Sequence, residues 1–276
     1  MAELIYKYCR DYGVRFIENR KLQFSPPIDF DDPFELRPQP GDPTLSIEDS
    51  NVLLDDDRRM RVWYESTKSR TPFDKWLSAR RGSPTKFNLE VSKVMPAAIE
   101  RYCPGALANI SNEYGMACFS EIPSDVRMWS HYADEHKGVV VGLDTDLLGI
   151  NLRPVRCKSE RVAFTASQFA NPKISWVVEL LTTKSEDWEY QKEWRAISLF
   201  GKPPLKLDEE LGAHVFEVSR EAIKRVLIGC NATASTVAAV QTALANTALL
   251  IIPEKAQPHR SRFALEFAPV NSGDQK

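Results

Sequence analysis

Two short apolar runs, each opened by a glycine, constrain this chain most: Gly115-Met-Ala-Cys-Phe119 and Gly138-Val-Val-Val-Gly-Leu143. Runs this short, bounded by turn formers, read as buried strands, since side chains leave water on both faces. Between them Val126, Trp129, Tyr132 and Ala133 recur at helical spacing, so about Pro123 to Lys137 reads as an amphipathic helix. Ser124 or Asp125 can cap its start, and Lys137-Gly138 is a natural stop. The polar residues of this stretch thus fall at a strand end and on a strand-to-helix turn. Pockets in mixed α/β folds are usually built there.

Leu4 to Tyr8 reads as a first strand, Tyr12 to Asn19 as a short helix and Lys21 to Ser25 as a second strand, before Pro26-Pro27 imposes an extended turn. Leu36 to about Leu45 is proline-rich loop. From about Ser46 to Ile110 the pattern is helical, with Val62, Trp63, Phe73, Trp76 and Leu77 as apolar stripes among many charges. Further strands are expected at 155–157, 190–200, 213–218, 226–229, 249–252 and 263–267, with a small-residue helix at 233–244. Strands and helices do not alternate steadily, so the expected class is α+β. The expected organisation is a single domain over 1–276 with a helical insert at about 36–110.

Opposite charges nearly cancel, 36 basic residues against 38 acidic, which argues against affinity built mainly on phosphate neutralisation. The five cysteines are scattered without a CxxC pair. Met1-Ala-Glu-Leu-Ile-Tyr-Lys7 has no signal-peptide pattern, and no apolar run approaches the ~20 residues of a membrane span. The expectation is a reduced, cytoplasmic protein with no membrane partner.

His131 and His136 stand five apart, roughly 140° around a helix, which does not place two metal ligands on one face. No metal is expected. Ser120 lies outside a G-x-S-x-G elbow, and no dinucleotide or Walker-type glycine motif is present. Trp188-Glu-Tyr-Gln-Lys-Glu-Trp-Arg195 is a second constellation. As a strand it places Glu189, Gln191, Glu193 and Arg195 on one face. That row is either an exposed face holding a Glu193–Arg195 ion pair or the polar lining of a pocket. Asp31-Asp-Pro-Phe-Glu35 reads either as a helix start or as a turn in which aspartates bond nearby amides.

Ile5-Tyr-Lys-Tyr8, Asp31 to Glu35, Phe119-Ser-Glu121, Met128-Trp-Ser-His-Tyr-Ala133 and Trp188 to Arg195 occur in this order. Together they resemble a bacterial family of domains of unknown function, number twenty-nine seventy-one. A more distant similarity is to ADP-ribosyltransferases, which use NAD as donor. Lys7 falls where those enzymes carry His or Arg, Cys118-Phe-Ser120 where they carry a Ser-x-Ser-like element, and Gln191-Lys-Glu193 where they carry Glu/Gln-x-Glu.

The resemblance implies an ADP-ribosyltransferase-like mixed β core and a site that binds NAD as substrate. It implies transfer to an unidentified macromolecular acceptor, protein or nucleic acid, as in a toxin or antiviral-defence effector. Glu193 would stabilise the oxocarbenium-like ribose electrostatically and Gln191 would sit where the acceptor arrives. Lys7 would meet a diphosphate oxygen and Ser120 would bond the ribose or carboxamide. Tyr8 or Trp129 would stack on nicotinamide, and His131 would border the cleft. The competing readings are a non-catalytic sensor or interaction module on the same scaffold, and a nucleic-acid-processing enzyme.

Overall fold

In a computed structural model, residues 3–10 and 12–270 are described. The chain divides into two compact units. Met1–Asp29, Ser111–Cys157 and Glu186–Lys276 form the first, and Phe30–Ile110 with Lys158–Ser185 form the second. Strand numbers below refer to the first unit only.

The chain opens with β1 (Leu4–Cys9), α1 (Gly13–Asn19) and β2 (Lys21–Phe24), close to the expected elements. It then runs through α2 (Ile47–Asp55), α3 (Asp57–Thr67), α4 (Phe73–Arg81) and the 30-residue α5 (Pro84–Glu113), so the helical reading of 46–110 holds. β3 (Tyr114–Ser120), α6 (Val126–Tyr132), β4 (Val139–Asp144) and β5 (Leu152–Pro154) follow. The second unit receives α7 (Ala166–Ala170) and α8 (Ile174–Leu181). Last come β6 (Glu193–Leu199), β7 (Lys206–Asp208), β8 (Ala213–Glu217), β9 (Ile223–Ile228), α9 (Ala234–Asn246), β10 (Glu254–Pro258) and β11 (Leu265–Pro269). The class is α+β.

The first unit is built on an eight-stranded sheet in the order β11-β10-β9-β4-β1-β3-β6-β5, antiparallel except for the β9–β10 pair. A three-stranded sheet, β7-β8-β2, adjoins it in the same unit. Side-chain alternation sorts the large sheet into two faces. One carries Ile5, Cys9, Ala117, Phe119, Val139 and Val141 and packs against Phe16 and Ile17 of α1 and Val240 and Leu244 of α9. The other carries Tyr6, Tyr8, Val140 and Leu227 and packs against Met128 and Trp129 of α6. β4 is apolar on both faces because it lies between β1 and β9 with helices above and below.

The second unit is helical, with a two-residue parallel pairing of Gln39–Pro40 with Ala163–Phe164. Its helices start where side chains replace missing partners for the first amides. Ser46 accepts from Asp49 N at 3.0 Å, and Asp56 from Arg59 N at 3.0 Å. Trp63 and Tyr64 of α3 meet Phe73 and Trp76 of α4 in edge-on pairs, and Trp63 also meets Phe87 of α5 at 5.3 Å. Among the described residues, no helix is long and apolar enough to cross a membrane.

Three expected elements change. The helix expected over 123–137 is cut to Val126–Tyr132, because Asp134, Glu135 and His136 all take left-handed backbone (φ 46°, 51° and 68°). Residues 249–252 form no strand, since Leu249 and Ile251 pack on the core while pairing starts only beyond Pro253, which has no N–H to give. The strand expected over 190–200 is shortened to Glu193–Leu199, so residues 188–195 do not make one strand. Glu186–Gln191 is a 3-10 turn and Lys192 has φ 42°, so β6 starts at Glu193.

Candidate functional site

The register of the large sheet places Glu193 opposite Ser120, and Ser120 opposite Tyr6. Directly paired residues share a face, so the three form a row across β6, β3 and β1. The next row pairs Arg195 with Cys118. Arg195 is fully buried, and its Nε donates to Glu193 Oε1 at 2.6 Å, whose side chain is only 7% exposed. The ion-pair reading of this couple is right, but the face that carries it is buried. A guanidinium and a carboxylate withdrawn from water each need the other, since either alone would cost several kcal/mol. The Cys118 thiol is pushed up to about 12, first by burial and then by the Glu193 charge, against the pull of Arg195 and Lys7. Burial thus favours the neutral thiol over the thiolate.

Beside this pair lies a pocket of about 310 Å³, lined among others by Glu121, Glu186, Glu189, Lys192, Glu193 and Trp194. Trp194 Nε1 donates to Glu121 Oε1 at 2.7 Å, and Lys192 Nζ to Glu189 Oε1 at 3.2 Å. Four carboxylates against one ammonium give the pocket negative sign. Among the described residues, no group of three or more His, Cys, Asp or Glu is arranged to hold a metal ion.

Around Ser120 the structure gathers several expected site residues into a knot of internal hydrogen bonds. Ser120 is fully buried; its hydroxyl donates to Gln191 O at 2.6 Å and accepts from Ile122 N at 3.0 Å. Tyr8 donates to Ile122 O at 2.7 Å, and burial raises its phenol far above the ordinary value. Trp129 is fully buried and gives its indole N–H to Pro123 O at 2.7 Å. Its ring meets Tyr8 edge-on at 5.7 Å, which takes up the aromatic surface expected for stacking. The Gln191 side chain donates to Tyr132 Oη at 3.0 Å and is 2% exposed. Because a left-handed Lys192 intervenes, Gln191 does not share a strand face with Glu193.

Two expected residues lie elsewhere. Lys7 alternates with Tyr6 and Tyr8, so it belongs to the face opposite Ser120 and Glu193, where its ammonium sits 5.6 Å from the Phe119 ring centroid. Nζ donates to Cys118 O at 3.1 Å. His131 is exposed on α6, and its carbonyl accepts from Arg10 Nη2 at 3.3 Å. Asp31 to Glu35 is a turn, with Asp32 Oδ1 accepting from Phe34 N at 2.9 Å. Glu35 is buried in the second unit with Lys184 Nζ at 3.5 Å, a partnership no local pattern announces. Local sequence likewise does not mark Glu121, Glu186 and Lys192 as pocket residues. The available signal is the acidic stretch from Glu186 to Glu189, whose 3-10 turn leaves Glu186, Asp187 and Glu189 exposed.

Comparison with curated proteins and with solved structures finds no significant match for this chain. A family model does match: residues 128–196, from α6 into the start of β6, fit the family described as Protein of unknown function (DUF2971). That segment contains Met128 to Ala133 and Trp188 to Arg195, two of the motifs that carry the family resemblance, and over these residues the chain matches DUF2971.

Proposed function

We propose that the pocket at the start of β6 is the centre of an ADP-ribosyltransferase-like reaction, cleaving the nicotinamide–ribose bond of NAD and passing ADP-ribose to a macromolecular acceptor. Glu193 carries this reading: its carboxylate is fixed by Arg195 at 2.6 Å and nearly withdrawn from water, and the residue lines the 310 Å³ pocket. Cleavage of that bond builds positive charge on the ribosyl carbon. A preoriented carboxylate in a poorly hydrated site stabilises such charge far better than water does. The nicotinamide ring is itself cationic in NAD, and Glu121, Glu186 and Glu189 give the pocket matching sign. Lys192, paired with Glu189 in the free protein, would exchange that partner for a diphosphate oxygen.

A different observation favours a binding module without chemistry. Tyr8, Ser120 and Trp129 direct their polar atoms to the unit's own backbone, which makes them scaffold rather than ligand contacts. Nicotinamide release from NAD separates the two. The transferase reading expects turnover by the native protein and a fall of about 10²–10³ in Glu193→Gln, the usual effect of removing one preorganised group. Unfolding curves of both proteins would show that the variant keeps its fold. No nicotinamide release by the native protein, or equal release by both, would overturn it.

A further inference from the structure

We propose that the groove between α3 and α5 in the second unit binds an anionic amphiphile, an aliphatic chain ending in a carboxylate. The groove encloses about 680 Å³, within the range of small-molecule sites. Helical spacing builds its two walls. Arg59, Trp63 and Ser66 follow one another along α3, while Val91, Val94, Ala98 and Arg101 follow along α5. Met60, Val91 and Met95 are buried and form the floor, whereas Val62 (67% exposed) and Val94 (49% exposed) turn apolar surface to water at the rim.

The charges of this groove all have one sign. Arg58, Arg59, Lys93 and Arg101 line it and no carboxylate does. Arg59 is occupied, donating to the carbonyl oxygens of Phe169 and Ala170. Arg58, Lys93 and Arg101 have no salt-bridge partner among the described residues, although the unit pairs Arg80 with Glu90 and Arg81 with Asp57. A trough of methyl and methylene groups edged by unneutralised cations complements an aliphatic chain with an anionic head. It complements a nucleobase poorly, because Trp63 already packs on Trp76 and Phe87.

The test is calorimetric titration of the full chain with dodecanoate below its micelle concentration, beside dodecyltrimethylammonium and an acidic amphipathic peptide. Saturable 1:1 binding of dodecanoate is expected, with the cationic amphiphile at least about tenfold weaker, the scale of one or two exposed charge contacts. Lys93→Ala/Arg101→Ala should weaken dodecanoate by a similar factor, and Val94→Glu should abolish binding. Both alter exposed positions, so the melting temperature should hold. Absence of saturable dodecanoate binding, equal affinity for the two amphiphiles, or binding of the peptide alone would overturn the proposal.

Discussion

Ser120 illustrates how one hydroxyl can hold two loops. It is fully buried, gives its proton to Gln191 O and takes one from Ile122 N, tying the turn after β3 to the turn before β6. Ser120→Ala should cost about 1–3 kcal/mol by urea unfolding, because both backbone groups lose a partner without gaining water. A loss under half of that would show the turns to be held by other contacts. Ser120 stood out in the sequence because it closes an apolar run next to a carboxylate. Its role did not, since neither acceptor nor donor is marked by residue type: both are main-chain groups, and Gln191 is 71 positions away. Arg195 is the reverse case. Its pairing with Glu193 follows from spacing along the chain, but its complete burial depends on the strands and helix that cover it.

Among the elements, α6 and the turn after it combine a capping carboxylate with three consecutive left-handed residues. Asp125 caps α6, accepting from Arg127 N at 2.8 Å and Met128 N at 3.3 Å, and pairs with Arg127 Nη2 at 2.7 Å. Burial alone would raise this carboxyl, but the Arg127 guanidinium and the two amides outweigh it and hold it below the usual range. Asp125→Ala should lose about 1 kcal/mol at neutral pH. A depressed carboxyl pKa contributes stability above its unfolded value and loses it as pH falls through the folded one. The gap between native and variant proteins should therefore hold above about pH 4 and close below it. A gap that persists at pH 2 would contradict the assignment. Beyond α6, three residues in left-handed backbone cost roughly 1 kcal/mol or more each. Asn231 steadies them, its N donating to His136 O at 3.0 Å and its Nδ2 to Glu135 O at 3.2 Å. Gly229 allows that approach, for a Cβ there would stand 1.9 Å from His136 O. Gly229→Ala should cost about 3 kcal/mol in thermal or urea unfolding, the upper end for an overpacked site.

Over the whole molecule, the core of the first unit is assembled from distant segments. β1 (Leu4–Cys9) lies beside β4 (Val139–Asp144), which lies beside β9 (Ile223–Ile228). Val226, Ile228, Val240 and Leu244 complete the face that Ile5, Val139 and Val141 begin. In a fragment ending at residue 205, which keeps the second unit whole, the amides of β1 and β4 should therefore lose their protection from hydrogen exchange, since β4 would lose β9 as a neighbour and the cover of α9 together. Protected β4 amides in that fragment would mean the core closes without the last quarter of the chain. Legible in the sequence alone were the elements that announce themselves locally: glycine-bounded apolar runs, the helical stripe at 126–133 with a cap at Ser124 or Asp125, and the helical stretch 46–110. These depend on periods of two and 3.6 and on groups a few residues apart. Tertiary structure alone decided that Lys7 faces away from Ser120 and Glu193, that Trp129 is sealed in the core, and that Glu35 meets Lys184. Alternation fixes which residues of one strand share a face, but not which face of a distant strand they join. That choice is made by pairing register across more than a hundred residues, and a shift of one position would exchange the two faces.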